Sequence, residues 1–171
     1  MKKIKKLIKV FVLISIISSC TTVKETARYY NQNKALTLAL YENYLKINKQ
    51  FPFGGIKIAG KERVEIAYMT TPSQRHTAYF DNLGNFKEAT DSFYPDVLKS
   101  DLVKTFIKDF VKSKYIAICD GSNRDYVFFA YRDARYNNRE YLGIMIGDNG
   151  EKYEPIRKIE DKVYVRERDV P

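Results

Sequence analysis

The chain has no tryptophan, a single histidine (His76) and two cysteines (Cys20 and Cys119) in 171 residues. So few imidazoles and thiols leave no closed structural zinc site and no haem framework, and no cofactor is expected. A Ser–His–Asp arrangement could run only through His76, and no serine sits in the glycine pattern of a nucleophile elbow. Eight glycines and five prolines are too few for a collagenous or low-complexity chain. No apolar run approaches the roughly 20 residues that a membrane-spanning helix needs. Past the N-terminus no block of one charge sign occurs, because Lys and Arg alternate with Asp and Glu, and nucleic acid is therefore not an expected partner. These absences point away from an enzyme. What is present, 44% hydrophobic and 30% charged residues, suits one globular domain.

The N-terminus carries the most specific pattern. Lys2, Lys3, Lys5, Lys6 and Lys9 precede the apolar run Val10 to Ile17, with no acid among them. A basic segment followed by a short apolar one is the layout of an export signal. It ends Ile17-Ser18-Ser19-Cys20, an aliphatic residue, two small residues and a cysteine. This resembles the lipobox of bacterial lipoprotein precursors, and it implies a signal over residues 1–19, lipidation at Cys20, a tether over 20–28 and a single exported domain over 29–171. More than one buried acyl chain, at about 0.8 kcal/mol per CH₂, gives a stable membrane anchor. Thr21 follows Cys20 where an aspartate would imply retention in the inner membrane, so the outer membrane is preferred by analogy.

Cleavage changes the charge. Removing the five signal lysines from 30 basic residues leaves 25 against 21 acids, a mature net charge of about +4. With Cys20 acylated, Cys119 has no partner for an intramolecular disulfide, and its setting Tyr115-Ile116-Ala117-Ile118-Cys119 suits a buried, inert thiol.

The apolar periodicity predicts an α+β fold: an antiparallel sheet of about six to eight strands with two main helices packed on one face. One helix is expected over residues 25–48, with Leu36, Leu40, Tyr44 and Ile47 in a stripe, stopping before Phe51-Pro52-Phe53-Gly54-Gly55. A second is expected from Asp96 to Ser113, with Leu98, Leu102, Val103, Phe106, Ile107, Phe110 and Val111 on one side. Strands are expected at Arg63 to Thr70, Thr77 to Asp81, Asn85 to Ala89, Tyr115 to Cys119, Tyr126 to Arg132, Arg139 to Gly147, Lys152 to Arg157 and Lys162 to Arg166. Asp81-Asn82-Leu83-Gly84 and Asp148-Asn149-Gly150 read as hairpin turns, since neither supplies the alternating acids of a calcium loop. His76, in a polar run, reads as an exposed turn residue.

The stretch Tyr79-Phe80-Asp81-Asn82-Leu83-Gly84-Asn85-Phe86, then Tyr94-Pro95, the amphipathic helix and Lys114-Tyr115-Ile116, resembles a unit of the PepSY-like family of exported bacterial proteins. Ile144-Met145-Ile146-Gly147-Asp148-Asn149-Gly150 is a fainter echo, and the likeness spans residues 56–158. Such modules are similar to the beta-lactamase-inhibitor protein, with a helix and then antiparallel strands, often in tandem. Here the two halves do not match residue by residue. The resemblance implies a noncatalytic role, binding or inhibiting an envelope protein or polymer. A nuclear-transport-factor-like cone is the alternative topology; a small-ligand carrier or weak hydrolase, with a pocket under a curved sheet, is the alternative function.

Pairing Tyr126–Arg132 with Arg139–Gly147 across a loop of Asp133 to Asn138 sorts the side chains by face. Val127, Phe129, Leu142 and Ile144 fall on one face, suited to lie under a helix. Tyr126, Phe128, Tyr141 and Met145 fall on the other around Gly143, and form a candidate binding face unless a segment such as 25–48 covers them. Arg132, Arg135, Tyr136 and Arg139 mark a candidate binding loop, because Arg and Tyr often anchor interfaces.

Overall fold

The structure is a computed structural model that describes residues 22–71, 74–91, 95–120, 125–135 and 140–169. Cys20, Tyr136 and Arg139 lie outside the described residues. Arg132 and Arg135 are described as backbone of a strand only.

Helix α1 covers residues 22–32 and helix α2 covers Lys34–Gln50. Strands β1 Phe53–Ile58, β2 Val64–Thr71, β3 Gln74–Phe80 and β4 Phe86–Ala89 follow. A 3-10 turn, Asp96–Lys99, leads into α3, Asp101–Lys112. Then come β5 Tyr115–Asp120, β6 Val127–Arg135, β7 Glu140–Ile146, a 3-10 turn at Gly150–Tyr153, β8 Arg157–Glu160 and β9 Val163–Asp169. Among the described residues nine strands form one antiparallel sheet in the order β4-β3-β2-β1-β5-β6-β7-β9-β8. The fold is α+β, as expected, with a strand and a helix more than the sequence reading placed.

The extra strand is β1. Gly54 and Gly55 read as a stop, yet Gly55 is a bulge position at φ 143°, where a Cβ would lie 2.7 Å from the Ile118 carbonyl oxygen. The glycine lets β1 approach β5, the sheet's central strand, closely, so the segment that follows α2 is a strand and not a stop.

The single helix expected over 25–48 is two. Asn33 leaves helical geometry at φ −122°, ψ 26°, and its side-chain amide donates to the Tyr29 carbonyl at 3.0 Å. Residues 22–28 of the expected tether are helical and part of the body, since Thr26 and Ala27 are buried with Tyr29 and Tyr30 that follow them. Tyr30 donates to Glu160 Oε1 at 2.5 Å and Lys34 reaches Glu160 Oε2 at 2.6 Å, which ties α1 and α2 to β8. The helix expected from Asp96 begins at Asp101, because Ser100 is extended and its hydroxyl accepts from the Val103 N–H at 3.4 Å. The expected strand Lys152 to Arg157 is instead the Gly150–Tyr153 turn, with β8 starting at Arg157.

The chain thus repeats one order, helix then antiparallel strands, in two units that join through the β1–β5 pairing Gly55–Cys119, Ile56–Ile118 and Lys57–Ala117; the first unit is a meander, and the second departs from one where β9 lies between β7 and β8. The three described helices pack on one face of the sheet. Leu40, Tyr44 and Ile47 of α2 and Val103, Phe106, Ile107 and Phe110 of α3 share a core with Ile56, Ile66, Ile118, Phe129 and Ile144. Phe106 lies 5.9 Å from Phe53 and 6.3 Å from Tyr44, ring centre to centre. The space between helices and sheet, where a small-ligand pocket was the alternative expectation, is filled by fully buried rings. No described helix is long and apolar enough to cross a membrane.

Candidate functional site

The face of the sheet that the helices do not cover is the candidate site. Strand alternation puts Tyr126, Phe128, Ala130, Met145 and Tyr164 there with Ala117 and Cys119 of β5, as a second apolar cluster with no helix residue in it. The observed β6–β7 register is Val127–Ile146, Phe128–Met145, Phe129–Ile144 and Ala130–Gly143. It is displaced by two residues from the expected one, and a displacement of two leaves every side chain on its expected face. The reason is length, since β6 runs on to Arg135 with an irregularity after Ala130.

From the sequence this face reads as an exposed patch unless a segment such as 25–48 covers it, and no residue of 25–48 packs there. Phe128 and Met145 are fully buried and Tyr126 is 3% exposed, while Tyr141 is half-buried. The described cover comes from the sheet's own side chains. The Phe128 ring lies over Gly143, where a Cβ would stand 2.5 Å from Phe128 Cζ. Arg166 of β9 donates from Nη1 to the Tyr126 hydroxyl at 3.0 Å and lies 4.0 Å from Met145 Sδ. Its guanidinium is 5.4 Å from the Tyr126 ring centre and 5.2 Å from that of Tyr153. The Tyr126 and Tyr153 rings meet edge to face at 4.7 Å. An arginine held between two tyrosines combines cation–π attraction with a hydrogen bond.

Tyr153 is held in turn by Asp125, whose Oδ2 accepts from the phenol at 2.5 Å, with Lys152 Nζ 3.4 Å away. The Tyr153 bond and then Lys152 hold the Asp125 carboxyl below the usual carboxylate range, and the same bond raises the Tyr153 phenol. Tyr153, Tyr164 and Arg166 were missed by the sequence reading. The alternation of Tyr164 and Arg166 along Lys162 to Arg166 is legible; the turn that carries Tyr153 and the placement of β9, rather than β8, beside β7 are not.

Towards β1 and β2 the same face flattens. Gly54, Gly55, Ala67, Ala117 and Cys119 line a dent of about 20 Å³, room for roughly one water. Beside it stand Arg75 and the ion pair of Lys57 Nζ with Glu65 Oε1 at 3.2 Å. Cys119 is buried, as expected.

His76 is not a turn residue. It lies on β3, its ring stacked 5.5 Å from Tyr68, with Nδ1 3.3 Å from Asp91 Oδ2. The Tyr68 hydroxyl is buried with no hydrogen-bond partner among the described residues, and burial, then Asp91, raise its pKa. Asp81 serves its turn as expected, with Oδ1 accepting from the Leu83 and Asn85 N–H groups at 2.9 Å each. No group of three His, Cys, Asp or Glu side chains among the described residues could hold a metal ion. No family model, curated protein or solved structure matches this chain.

Proposed function

We propose that the chain is a lipid-anchored cell-envelope protein, acylated at Cys20 and placed in the outer membrane in preference to the inner, that works by binding and not by catalysis. Its ligand is an envelope protein or polymer, received on the helix-free face of the sheet. One observation carries this reading: among the described residues three helices close one face of the sheet, while the other face is closed by side chains of the strands and of the Gly150–Tyr153 turn. At that surface Tyr141, Tyr153 and Arg166 are half-buried, beside a flat strip of Gly and Ala with a charged border. Part-exposed Tyr and Arg held in fixed positions bind with little loss of side-chain freedom. Small residues alongside let a partner approach the sheet closely. The repeated order of a helix followed by antiparallel strands supports the resemblance to PepSY-like modules.

The test is site-specific photo-crosslinking in the native envelope. A crosslinker at Tyr153 or Lys57 should capture one partner, while the same group at exposed Leu45 on α2 should not. Equal capture from both faces, or none from the sheet, refutes the binding face. Mass spectrometry of the mature protein tests the anchor, and an unmodified Cys20 refutes it.

A further inference from the structure

The anchor proposed at Cys20 and the folded body are separated by almost nothing. Residue 22 is already helical, and Thr26, Ala27, Tyr29 and Tyr30 are packed into the core. Two residues extended span at most about 7 Å. A body joined to an acylated cysteine by so short a link stays against the lipid surface.

The exposed face of α1 meets an open cleft of about 320 Å³, lined by Glu25, Arg28 and Gln32 on the helix with Tyr29, Lys114 and Tyr131. Positions 25, 28 and 32 repeat at three and four residues and share one side of the helix. At 1.5 Å per residue, Arg28 lies about 9 Å along the helix from residue 22, so the reach from Cys20 to Arg28 is within about 16 Å. The floor is rigid: the Tyr29 ring packs 5.0 Å from Tyr131 and 5.4 Å from Tyr115, and its hydroxyl accepts the Lys114 N–H at 2.8 Å. Glu25 and Arg28, one turn apart, make no ion pair with each other or with any other described residue, and both are exposed.

We propose that this cleft takes the headgroup of a phospholipid carrying both a phosphate and a primary ammonium, from the leaflet in which Cys20 is anchored. The inference rests on the reading of Cys20 as the lipidation site. The charges match part for part. The Arg28 guanidinium presents a fork suited to two phosphate oxygens, and the Lys114 ammonium adds a second positive charge. The Glu25 carboxylate faces the same space and accepts from the ammonium. A headgroup with phosphate alone would leave Glu25 without a counter-charge and set it against a like charge. The shared chemistry with free phosphate and with soluble phosphoethanolamine is the anion site at Arg28 and Lys114.

Native mass spectrometry of the full-length protein, matured in a bacterial envelope and released in mild detergent, reads both claims in one spectrum. The covalent mass reports acylation of Cys20, and the noncovalent mass reports retained lipid. Micelles are doped in turn with phosphatidylethanolamine, phosphatidylglycerol or phosphatidylcholine, and separate samples receive inorganic phosphate or phosphoethanolamine. The expected result is one phosphatidylethanolamine retained in preference to the other two lipids. Arg28→Gln or Lys114→Gln should lower retention about tenfold or more, the scale of one charge-assisted contact. Glu25→Gln should shift the preference to phosphatidylglycerol. All three side chains are exposed, so circular dichroism should show each variant folded. Acylated protein that retains no lipid, variants that retain as much as wild type, or a wild-type preference for phosphatidylglycerol or phosphatidylcholine overturns the proposal. Binding of soluble phosphate or phosphoethanolamine without lipid overturns the lipid source. An unacylated Cys20 overturns the anchor alone, and the lipid peaks of the same spectrum then decide the cleft.

Discussion

Replacing Asp81 by Asn should remove an acid-sensitive part of the protein's stability. The carboxylate sits in the β3–β4 turn, where Oδ1 accepts two backbone N–H groups, and Oδ2 accepts from Asn85 Nδ2 at 3.0 Å and lies 3.1 Å from Lys87 Nζ. Burial by itself would raise its pKa; the bonds to Asn85, Lys87 and Leu83 outweigh it and hold the carboxyl well below the usual range. With the folded-state pKa depressed, the unfolded chain takes up the proton first. The contribution is therefore complete above about pH 5 and is lost as the pH falls below the ordinary carboxyl value, towards the folded one. Asn keeps one acceptor oxygen but turns an amide N–H₂ towards two donors. Hydrogen bonds to a charged group contribute about 1.5–3 kcal/mol, and with a side chain 22% exposed the lower end applies. The assay is urea unfolding of wild type and Asp81→Asn at pH 7, 4 and 2.5. Wild type should be more stable by about 1.5 kcal/mol at pH 7, with the gap narrowing as the pH falls. Comparing the pair cancels Asp125 and Glu160, whose carboxyls are also held low by hydrogen bonds. A gap that stays constant with pH would refute the reasoning, because the turn would then hold the same proton in both states.

Three further substitutions probe the layers separately. Phe106→Ala empties the fully buried contact of α3 with Phe53 and Tyr44, and should cost about 3–5 kcal/mol, a fall on the order of 10 °C in Tm by calorimetry. Gly143→Ala should cost about 1–3 kcal/mol or more in urea unfolding, and the added Phe128→Ala should not restore it. Moving the ring relieves Phe128 Cζ but leaves the new Cβ 2.3 Å from the Phe129 carbonyl oxygen of the paired strand. Tyr30→Phe should cost about 1 kcal/mol and speed amide exchange in α1 ahead of global unfolding, since the lost hydroxyl donates to Glu160 on β8. Unchanged exchange in α1 would show that the clamp does not hold it.

How much of this was legible in the sequence differs by element, and the differences have physical causes. The α3 stripe of Val103, Phe106, Ile107 and Phe110 carries a strong three-to-four period, and all four are buried as expected. The β6 and β7 faces were assigned correctly from a wrong register, because strand side chains repeat every two residues and the error was two. An error of one would have turned Phe129 and Ile144 outwards. By contrast, β1 was hidden by its own glycines. The close approach that puts Gly55 against Ile118 removes the side chains on which a strand pattern is read. The break at Asn33 was hidden for the opposite reason, since apolar spacing continues across it and only the backbone turns.

The candidate site was half legible for a topological reason. Consecutive pairing lets the sequence place Tyr126, just before β6, and Phe128 of β6 with Tyr141 and Met145 of β7, and those four do share a face. It does not place Tyr153 and Arg166, because the chain passes β7, turns through Gly150–Tyr153, runs the edge as β8 and only then returns as β9 beside β7. That return carries Arg166 across the outer face to Tyr126 and Met145, which is why residues that read as an exposed apolar patch are closed over by a cation. A binding surface built there consists of what closes it: the guanidinium, the Tyr153 ring and the edge of Tyr141, not the apolar residues beneath. Substituting Met145 therefore tests packing, and substituting Tyr153 or Arg166 tests recognition.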